Sequence, residues 1–279
     1  MRKLRTKHPC IFALLLLAAL FIALLADSAE RLVTTDYVVC SSRLPESFDG
    51  FKIVQLSDIH GKSFGSGSRR LLRAVEAAKP DIIAITGDMC DERTNHEVIR
   101  TLLDGLTDIA PVYYVSGNHE WASGAVDYLA ELFEEYGVVY LRNDYRVLTC
   151  SGEAIVIAGT EDPNSYADMT RPDELMERVS EEQPGLFRLL LNHRNDLLEK
   201  YPDIEADLAL CGHAHGGIVR LPLLGGVLGG GFSLFPGYTA GEYMSGECEM
   251  IVSRGLGNSI SIPRLFNNPE IVSVTLRPK

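Results

Sequence analysis

Five short apolar runs in this sequence each lead directly into residues that can bind a cation. The runs span residues 51–56, 81–86, 112–116, 187–191 and 206–211. Their length and their aliphatic, β-branched composition predict buried strands, and the residues that follow carry a carboxylate, an imidazole or a side-chain amide. In open α/β sheets, ligands bind just outside the carboxyl ends of the strands. We therefore expect the five strand ends to converge on one site.

The last run leads into two histidines that are separated by one residue. His213 and His215 follow Gly212 and precede Gly216 and Gly217. Alternate residues of an extended backbone point the same way, so the two imidazoles can enter one cavity. The glycines allow a tight turn around a bound ion. The alternative is a pair of surface histidines in a loop, because a His-x-His pair alone is only moderately specific.

The strand ends together supply a mixed set of candidate ligands. They are Asp58, His60, Asp88, Asn118, His119, His193, His213 and His215. Oxygen and imidazole ligands without a thiolate fit divalent ions such as Mn²⁺, Fe²⁺ or Zn²⁺ better than a structural zinc. The set is too large for one ion and suits two ions that share a bridging carboxylate. Two-metal sites of this kind suit the hydrolysis of phosphate esters.

The N-terminal residues 1–30 predict a membrane anchor. An uninterrupted apolar run over residues 10–26 would span roughly 25 Å as a helix. Residues 2–7 contain four basic residues and acidic residues follow the run, which predicts a cytoplasmic N-terminus and a catalytic domain on the outer side. We favour an uncleaved anchor. The alternative is a signal peptide cleaved near Ala26 and Ser28, which would export the protein.

The charge balance and the cysteines exclude other classes of protein. The formal net charge is −12, and residues 1–30 hold four basic and two acidic residues, so the remainder is at −14. Most of that surface would repel a polyanion, and we expect no nucleic-acid partner. Six cysteines without a Cys-x-x-Cys pair indicate neither a zinc knuckle nor a disulfide framework. Pairing among Cys40, Cys150 and Cys248 stays open.

The order of the predicted elements indicates an α/β fold. Helical periodicity over residues 66–78, 96–109 and 125–136 alternates with the first strands, which favours parallel strands joined by crossover helices. An edge strand is predicted at 33–40, a hairpin at 145–158 and a helix at 171–179, with strands at 249–253 and 271–276 near the end. Residues 221–235 form an uncharged, glycine-rich loop. We therefore divide the chain into an anchor (1–30), a linker with an edge strand (31–50) and a catalytic domain (51–279).

Five short motifs occur in an order that resembles the signature of the calcineurin-like metallophosphoesterases. They are Asp58-x-His60, Gly87-Asp88-x-x-Asp91, Gly117-Asn118-His119-Glu120, His193 and Gly212-His213-x-His215. The resemblance runs from about residue 44 to the C-terminus, and the five motifs in this order are highly specific. Segments 253–257 and 263–266 resemble the bacterial phosphodiesterases of this family that are membrane-anchored or exported.

The resemblance implies a fold, a mechanism and a role for each motif residue. The implied fold is α/β, a four-layer sandwich of two mixed β-sheets flanked by helices (the metallo-dependent phosphatase fold), preceded here by an N-terminal transmembrane helix. A hydroxide bridging two metals would be the nucleophile, and His119 would be the general acid, oriented by Asp91. The implied ligands are Asp58, His60 and His215 for the first metal, Asn118, His193 and His213 for the second, and Asp88 as the bridge.

The sequence departs from the family pattern beside the predicted site. Arg194 and Asn195 follow His193, where the family usually has a proline two residues on. Ile218 replaces a frequent glutamine and Gly237 a frequent basic residue. None of these is a predicted ligand, but they leave the natural substrate open.

One arginine outside the motifs is a candidate contact for the substrate phosphate. Arg254 lies at the end of a predicted strand, and a guanidinium can bind a phosphate through two hydrogen bonds. The alternative is that Arg254 pairs with a surface carboxylate, as arginines at strand ends often do. Neither the sequence nor the resemblance indicates an oligomeric state.

Three functions fit these observations. The first is a membrane-anchored phosphoester hydrolase, most simply a phosphodiesterase. The second is a pyrophosphohydrolase of a lipid-linked nucleotide of the UDP-diacylglucosamine type, suggested by the anchor and the apolar loop. The third is a non-catalytic scaffold of the same fold, which the complete motif set disfavours.

Overall fold

The computed structural model describes residues 9–229 and 233–279 of the chain, and its strands form two large sheets. The strands are β1 (Val33–Ser41), β2 (Lys52–Leu56), β3 (Ile82–Thr86), β4 (Val112–Val115), β5 (Val139–Tyr140), β6 (Asp144–Cys150), β7 (Glu153–Gly159), β8 (Arg188–Leu191), β9 (Leu208–Cys211), β10 (Val219–Leu221), β11 (Gly225–Leu228), β12 (Gly241–Ser245), β13 (Cys248–Val252) and β14 (Glu270–Pro278). The first sheet has the order β1-β14-β2-β3-β4-β5, and the second has the order β12-β13-β9-β8-β7-β6. Strands β10 and β11 form a separate two-stranded ribbon.

The helices cover the outer faces of the sheets, apart from the first. They are α1 (Pro9–Glu30), α2 (Arg69–Ala78), α3 (His96–Ile109), α4 (Asn118–Ser123), α5 (Val126–Tyr136), α6 (Pro172–Glu182) and α7 (Leu197–Lys200). One apolar cluster joins α2, α3 and α5 to the first sheet, a second lies between the sheets, and a third joins α6 and α7 to the second sheet. The α/β four-layer sandwich predicted from the sequence is therefore confirmed.

The central strands are buried on both faces, which explains why they are easy to recognise in the sequence. Every residue of β3, β4, β8 and β9 is buried. Neighbours β2, β3, β4 and β5 run parallel, as do β7, β8, β9 and β13. Parallel strands covered on both sides are apolar along their whole length. Their carboxyl ends open on the same edge of each sheet, and the candidate ligands follow these ends.

Several elements differ from the sequence prediction. The predicted loop 221–235 contains β11, which pairs with β10 as an antiparallel ribbon, and residues 230–232 of that loop lie outside the described residues. Strand β12 and the short helices α4 and α7 were not predicted. These elements have only four to six residues, which is too short for a periodic pattern to be recognised alone. All six cysteines are free thiols.

Helix α1 stands apart from the layered domain. Among the described residues, it is the helix long and apolar enough to cross a membrane, and its apolar segment is not buried against the rest of the protein. The four basic residues on which the predicted orientation depends precede the described residues. Strand β1, in the segment predicted as a linker with an edge strand, pairs with β14 over nine residues at the edge of the first sheet.

Replacing Glu249 by Gln is expected to stabilise the protein at pH 8 and to have little effect near pH 4. Burial and the neighbouring Glu242 raise the pKa of Glu249 from its ordinary 4.5 to about 7. A carboxyl whose pKa is higher in the folded state favours folding while protonated, and this contribution is lost as the pH rises from 4.5 to about 7. Because the side chain is half-exposed, solvent screening limits the gain to about 1 kcal/mol. Urea unfolding at both pH values measures the change in the free energy of unfolding, with the exposed Glu131→Gln as control. An equal change at the two pH values would contradict the prediction.

Candidate metal centre

The carboxyl ends of five buried strands meet between the two sheets and bring the predicted ligands together. Strands β2, β3 and β4 of the first sheet end next to Asp58, His60, Asp88 and Asn118. Strands β8 and β9 of the second sheet end next to His193, His213 and His215. Backbone hydrogen bonds connect these loops: His60 N donates to Asp88 O, and Gly212 N donates to His193 O. The site is thus built by loops that are anchored on rigid strands.

Four of the predicted ligands form a first group. One ligand atom each from Asp58, His60, Asp88 and His215 lies within 4.8 Å of the others, and all four side chains are buried. His60 Nε2 is 3.3 Å from His215 Nε2 and 3.7 Å from Asp88 Oδ2. His215 Nε2 is 3.5 Å from Asp58 Oδ1. Two carboxylates and two imidazole nitrogens that face one another are a donor set suited to a divalent cation.

A second group shares Asp88 with the first. Ligand atoms of Asp88, His193 and His213 again lie within 4.8 Å of one another. His193 Nε2 is 3.3 Å from Asp88 Oδ2, 3.2 Å from His213 Nδ1 and 3.2 Å from the Asn118 side-chain oxygen. The same Asp88 oxygen therefore faces both groups, and the residues present fit two cations bridged by one carboxylate.

The backbone at these ligands is in a sparsely populated conformation. Five of them have a positive φ: Asp58 (51°), His60 (48°), Asp88 (51°), His213 (67°) and His215 (48°). Such angles cost L-residues free energy and persist where the surrounding structure imposes them, as at functional sites. A side chain at Gly117 would place its Cβ 2.2 Å from Asp88 Oδ1, and one at Gly212 would lie 1.9 Å from Ser57 Oγ. Gly117 and Gly212 thus let their loops approach Asp88 and Ser57 more closely than a residue with a side chain could.

Burial keeps three of the histidines neutral. Burial and the nearby His215 lower the pKa of His60 to about 4, whereas burial and the Arg264 guanidinium lower the pKa of His215 to about 3. Burial, with the charges of His193 and Arg194, also lowers the pKa of His213. Because neutral imidazole is the form that binds metals, these rings are ready to bind at neutral pH.

His193 is in the opposite protonation state. Burial disfavours its charged form, but the charge and hydrogen bond of Asp88 outweigh burial and raise the pKa of His193 to about 10. His193 Nδ1 is 2.9 Å from Thr86 O, to which it donates, so Nε2 faces Asp88. A cation at the second group must displace the proton from Nε2, and metal binding near neutral pH would therefore release a proton.

His119 lines the site without belonging to either group, and Asp91 lies next to its neighbour His60. The His119 ring stands edge-on to His60 with 4.8 Å between ring centroids, and its buried Nδ1 has no hydrogen-bond partner among the described residues. Asp91 Oδ2 lies 3.8 Å from His60 Nδ1, and Asp91 Oδ1 accepts a hydrogen bond from Thr94 Oγ1. Asp91 thus lies beside His60 without a hydrogen bond to its Nδ1, and the orientation of His119 by Asp91 that the resemblance implies stays a prediction.

Glu120 is a residue of the site whose role the sequence analysis missed. Its carboxylate is fully buried and accepts hydrogen bonds from the backbone N–H groups of Asp88 (3.0 Å), Gly117 (2.8 Å) and Cys90 (3.1 Å). Burial and the charge of Asp88 raise the pKa of Glu120 to about 7. Glu120 thus holds the loop of Asp88 against the loop that carries Asn118. Its place as the last residue of the Gly-Asn-His-Glu motif was the available signal.

Arg194, one of the departures from the family pattern, lies in the wall of the second group. Its guanidinium donates to both oxygens of Asp162, at 2.6 and 3.0 Å, and its Nη1 is 3.1 Å from His213 Nε2. The Arg194 guanidinium, held by Asp162, thus contacts the His213 ring at Nε2. The sequence offered the departure itself as a signal but not its partner.

Arg254 is paired within the domain. Its Nη2 donates to Glu270 Oε1 at 2.8 Å, and its backbone N–H donates to the other oxygen of the same carboxylate. Glu270 is buried, so the partner is an internal carboxylate and not the surface one considered in the sequence analysis. The structure does not place Arg254 within either ligand group, and its contact with a substrate phosphate stays a prediction.

A cavity of about 370 Å³ adjoins the two groups. Its lining includes Asp88, His119, His213 and His215. The other lining residues are uncharged: Asn195, Ala214, Ile218, Gly229, Ser233, Pro236, Thr239, Ser259 and Ile260. The cavity is therefore lined partly by the ionisable residues of the metal centre and partly by uncharged residues, which we call the uncharged wall.

Comparison with known proteins identifies similar chains. A family model described as calcineurin-like phosphoesterase matches residues 51–217. An uncharacterized metallophosphoesterase of Bacillus subtilis, YkuE, is 32% identical over 252 residues, which are 88% of this chain and 85% of YkuE. The phosphodiesterase YaeI of Escherichia coli is 30% identical over 81% of this chain and 82% of YaeI. A Danio rerio transmembrane protein with a metallophosphoesterase domain is 27% identical over 96% of this chain and 62% of its own length.

Proposed function

We propose that this chain, which belongs to the calcineurin-like phosphoesterase family and is a metal-dependent phosphoester hydrolase, is a phosphodiesterase with two divalent ions. The observation that carries the proposal is that Asp88 belongs to both ligand groups. A carboxylate placed in this way suits two ions that act on one phosphate. The similarity to the phosphodiesterase YaeI supports a diester as the substrate.

The proposed ligands follow the two groups. Asp58, His60 and His215 would hold one ion, and Asn118, His193 and His213 would hold the other, with Asp88 between them. Bound Mn²⁺, Fe²⁺ or Zn²⁺ would activate a water molecule and would neutralise negative charge on the phosphoryl oxygens. The oxygen and imidazole donors do not favour one of these ions over the others.

We propose that His119 protonates the leaving group of the substrate. Its ring lines the cavity beside Asp88 and His213 but belongs to neither ligand group, so it is free to act on the substrate. His119 N donates to Asp88 Oδ1 at 2.9 Å, which holds the backbone of this residue against the bridging carboxylate. A general acid at this position would protonate the departing alkoxide.

Replacing His119 by Ala is expected to slow the hydrolysis of an alkyl phosphodiester by about 100-fold without changing the metal content. Hydrolysis of bis-p-nitrophenyl phosphate should fall much less, because p-nitrophenolate leaves readily without a proton. Initial rates of both esters with Mn²⁺, together with metal analysis by mass spectrometry, measure the effect on the full chain in detergent.

The matched control for this variant is His96→Ala. His96 begins α3 and stacks on Tyr128, with 4.1 Å between ring centroids, so its loss should leave both rates unchanged. Equal losses on the two esters in His119→Ala would contradict the role as a general acid. Loss of metal in His119→Ala would instead make His119 a ligand.

A second candidate is a pyrophosphohydrolase of a lipid-linked nucleotide, favoured by the exposed apolar helix α1 and the uncharged wall of the cavity. The membrane orientation separates the two candidates. We propose a cytoplasmic N-terminus and a catalytic domain on the outer side, whereas nucleotide-linked lipid precursors are handled on the cytoplasmic side. Alkaline phosphatase and green fluorescent protein fused to the C-terminus report the side, and a cytoplasmic C-terminus would favour the pyrophosphohydrolase.

A further inference from the structure

The end of helix α1 is built into the catalytic domain. Ser28 is buried, and its hydroxyl accepts a hydrogen bond from Phe266 N at 2.9 Å. Asn268 Nδ2 donates to Asp27 O at 2.7 Å. Strand β1 begins at Val33, a few residues after the end of the helix. These contacts hold the domain at the C-terminal end of α1, and with α1 in a bilayer the face around Phe266 would lie at the membrane surface.

Basic side chains surround the same point. Lys62 Nζ donates to Ala29 O, and Arg70 Nη2 donates to Glu30 O at 2.6 Å. Arg31 Nη2 donates to the side-chain oxygen of Asn268 at 3.0 Å. Arg31 is also paired with Asp27 at 2.8 Å and Arg70 with Glu30 at 3.7 Å, so these side chains hold the end of the helix on the domain and are largely neutralised there.

The ribbon of β10 and β11 is attached to the segment that holds α1. Val219 and Leu265 form a β-bridge, Arg220 N donates to Leu265 O at 3.0 Å, and Leu265 N donates to Ile218 O at 3.3 Å. Residue 265 immediately precedes Phe266, which contacts Ser28. A short series of direct contacts thus connects the base of the ribbon to the end of the membrane helix.

The ribbon and the segment after it expose large apolar side chains, which we call the apolar rim. Leu223 is fully exposed, and the other members are exposed by 38 to 70%; the apolar rim consists of Leu221, Leu223, Leu224, Leu234 and Phe235. No charged residue occurs in the sequence between Arg220 and Glu242. Contiguous exposed apolar surface of this kind marks a contact with a membrane or a protein.

We propose that the apolar rim rests in the interfacial region of the lipid bilayer. The bilayer is the occupant we assign because the rim is attached to the segment that contacts the end of the apolar helix α1 and lies in a stretch without a charged residue. Leucine and phenylalanine side chains insert to about 5–10 Å at the boundary of headgroups and acyl chains. Phe266, which is 44% exposed next to Ser28, occupies the level at which aromatic residues anchor membrane proteins.

The rim also borders the cavity of the metal centre. Gly229, Ser233 and Pro236 belong to the cavity lining together with His213 and His215, and Gly229 N donates to Ser233 O at 2.8 Å. These residues connect β11 to the rim residues Leu234 and Phe235. The proposal thus places the entrance of the metal centre beside the bilayer surface, independently of which phosphoester is cleaved.

Tryptophan fluorescence in lipid tests this proposal on the full chain. The wild type contains one tryptophan, Trp121, and its quenching by brominated lipids is the baseline. Leu223→Trp and Phe235→Trp variants are placed in nanodiscs of phosphatidylethanolamine and phosphatidylglycerol in which a share of the acyl chains is dibrominated. We expect roughly half of the added emission to be quenched, because both side chains would reach the bromine atoms.

The matched control is Val147→Trp. Val147 is similarly exposed, at 43%, but lies on β6 at the edge of the second sheet, and its tryptophan should be quenched no more than the wild type. Two rim variants guard against a local fold defect in one of them, and the urea midpoint of each is compared with the wild type. Rim tryptophans that are unquenched overturn the proposal. If their emission is also blue-shifted, a protein covers the rim.

The measurement needs neither metal nor catalysis, so it separates this proposal from the proposed function. Quenching of the rim in a protein that hydrolyses no diester supports the membrane surface while the phosphodiesterase proposal fails. An active diesterase with an unquenched rim gives the opposite result.

Discussion

Replacing Asp88 by Asn is expected to lower phosphodiester hydrolysis by about 1000-fold or more and to remove metal from both ligand groups. Asp88 Oδ1 accepts a hydrogen bond from His119 N at 2.9 Å, so an asparagine would place its oxygen there and turn its NH₂ group toward His60 and His193. A donor would then replace the Asp88 oxygen that faces both groups. A 1000-fold loss corresponds to about 4 kcal/mol of transition-state stabilisation, within the range that two ions can supply.

The measurement combines metal analysis by mass spectrometry with initial rates on bis-p-nitrophenyl phosphate. Asp108→Asn is the matched control, because Asp108 is exposed on α3 and is not part of either ligand group. We expect the control to keep its metal and its rate. If Asp88→Asn retains two ions per chain and the wild-type rate, the shared carboxylate is not a bridge and the proposed two-metal function fails.

Replacing Glu120 by Ala is expected to destabilise the metal-free protein by about 3–5 kcal/mol. The carboxylate accepts hydrogen bonds from three buried backbone N–H groups, and truncation leaves all three without their acceptor. Removing the carboxylate also relieves its repulsion by Asp88, which raises the pKa of Glu120, but three unsatisfied donors outweigh that relief. The effect is large because Glu120 lies under both loops of the second ligand group.

Urea unfolding of the full chain in detergent with a chelator measures this loss without a contribution from metal binding. Glu120→Gln should lose about half as much, since its amide oxygen can still accept from two N–H groups while its NH₂ faces the third. Glu131→Ala, at an exposed position of α5, should change stability by less than about 0.5 kcal/mol. A Glu120→Ala variant within 1 kcal/mol of the wild type would show that water replaces the carboxylate.

The family and the layered fold follow from local features of the sequence. Strands such as β3 and β9 are apolar at every position because both faces are covered, and helices such as α3 show an uninterrupted 3.6-residue period. The motifs place ligands at fixed distances from strand ends, and the order of parallel strands brings those ends together. The fold and the chemistry of the family can therefore be recognised from residues that are close together in the sequence.

The partners of individual side chains required the tertiary structure. Asp91 Oδ2 lies 3.8 Å from His60 Nδ1, Arg254 pairs with the buried Glu270, and Glu120 accepts a hydrogen bond from Asp88 N, 32 residues away in the sequence. Arg194 was visible as a departure from the family pattern, but its fork on Asp162 was not. Such pairs are set by the packing of loops from different strands, and no local period or spacing records which polar groups meet.

The contact between helix α1 and the catalytic domain is likewise not recorded in any local pattern of the sequence, because it joins segments that are far apart along the chain. The apolar helix over residues 10–26 and the uncharged segment near the C-terminal third can both be recognised from the sequence alone. Only the tertiary structure connected them, through a hydrogen bond between Ser28 and Phe266 that joins residues 238 positions apart. Hydrophobicity and periodicity act within a segment and can be read along the chain, whereas contacts between distant segments depend on how all the layers pack.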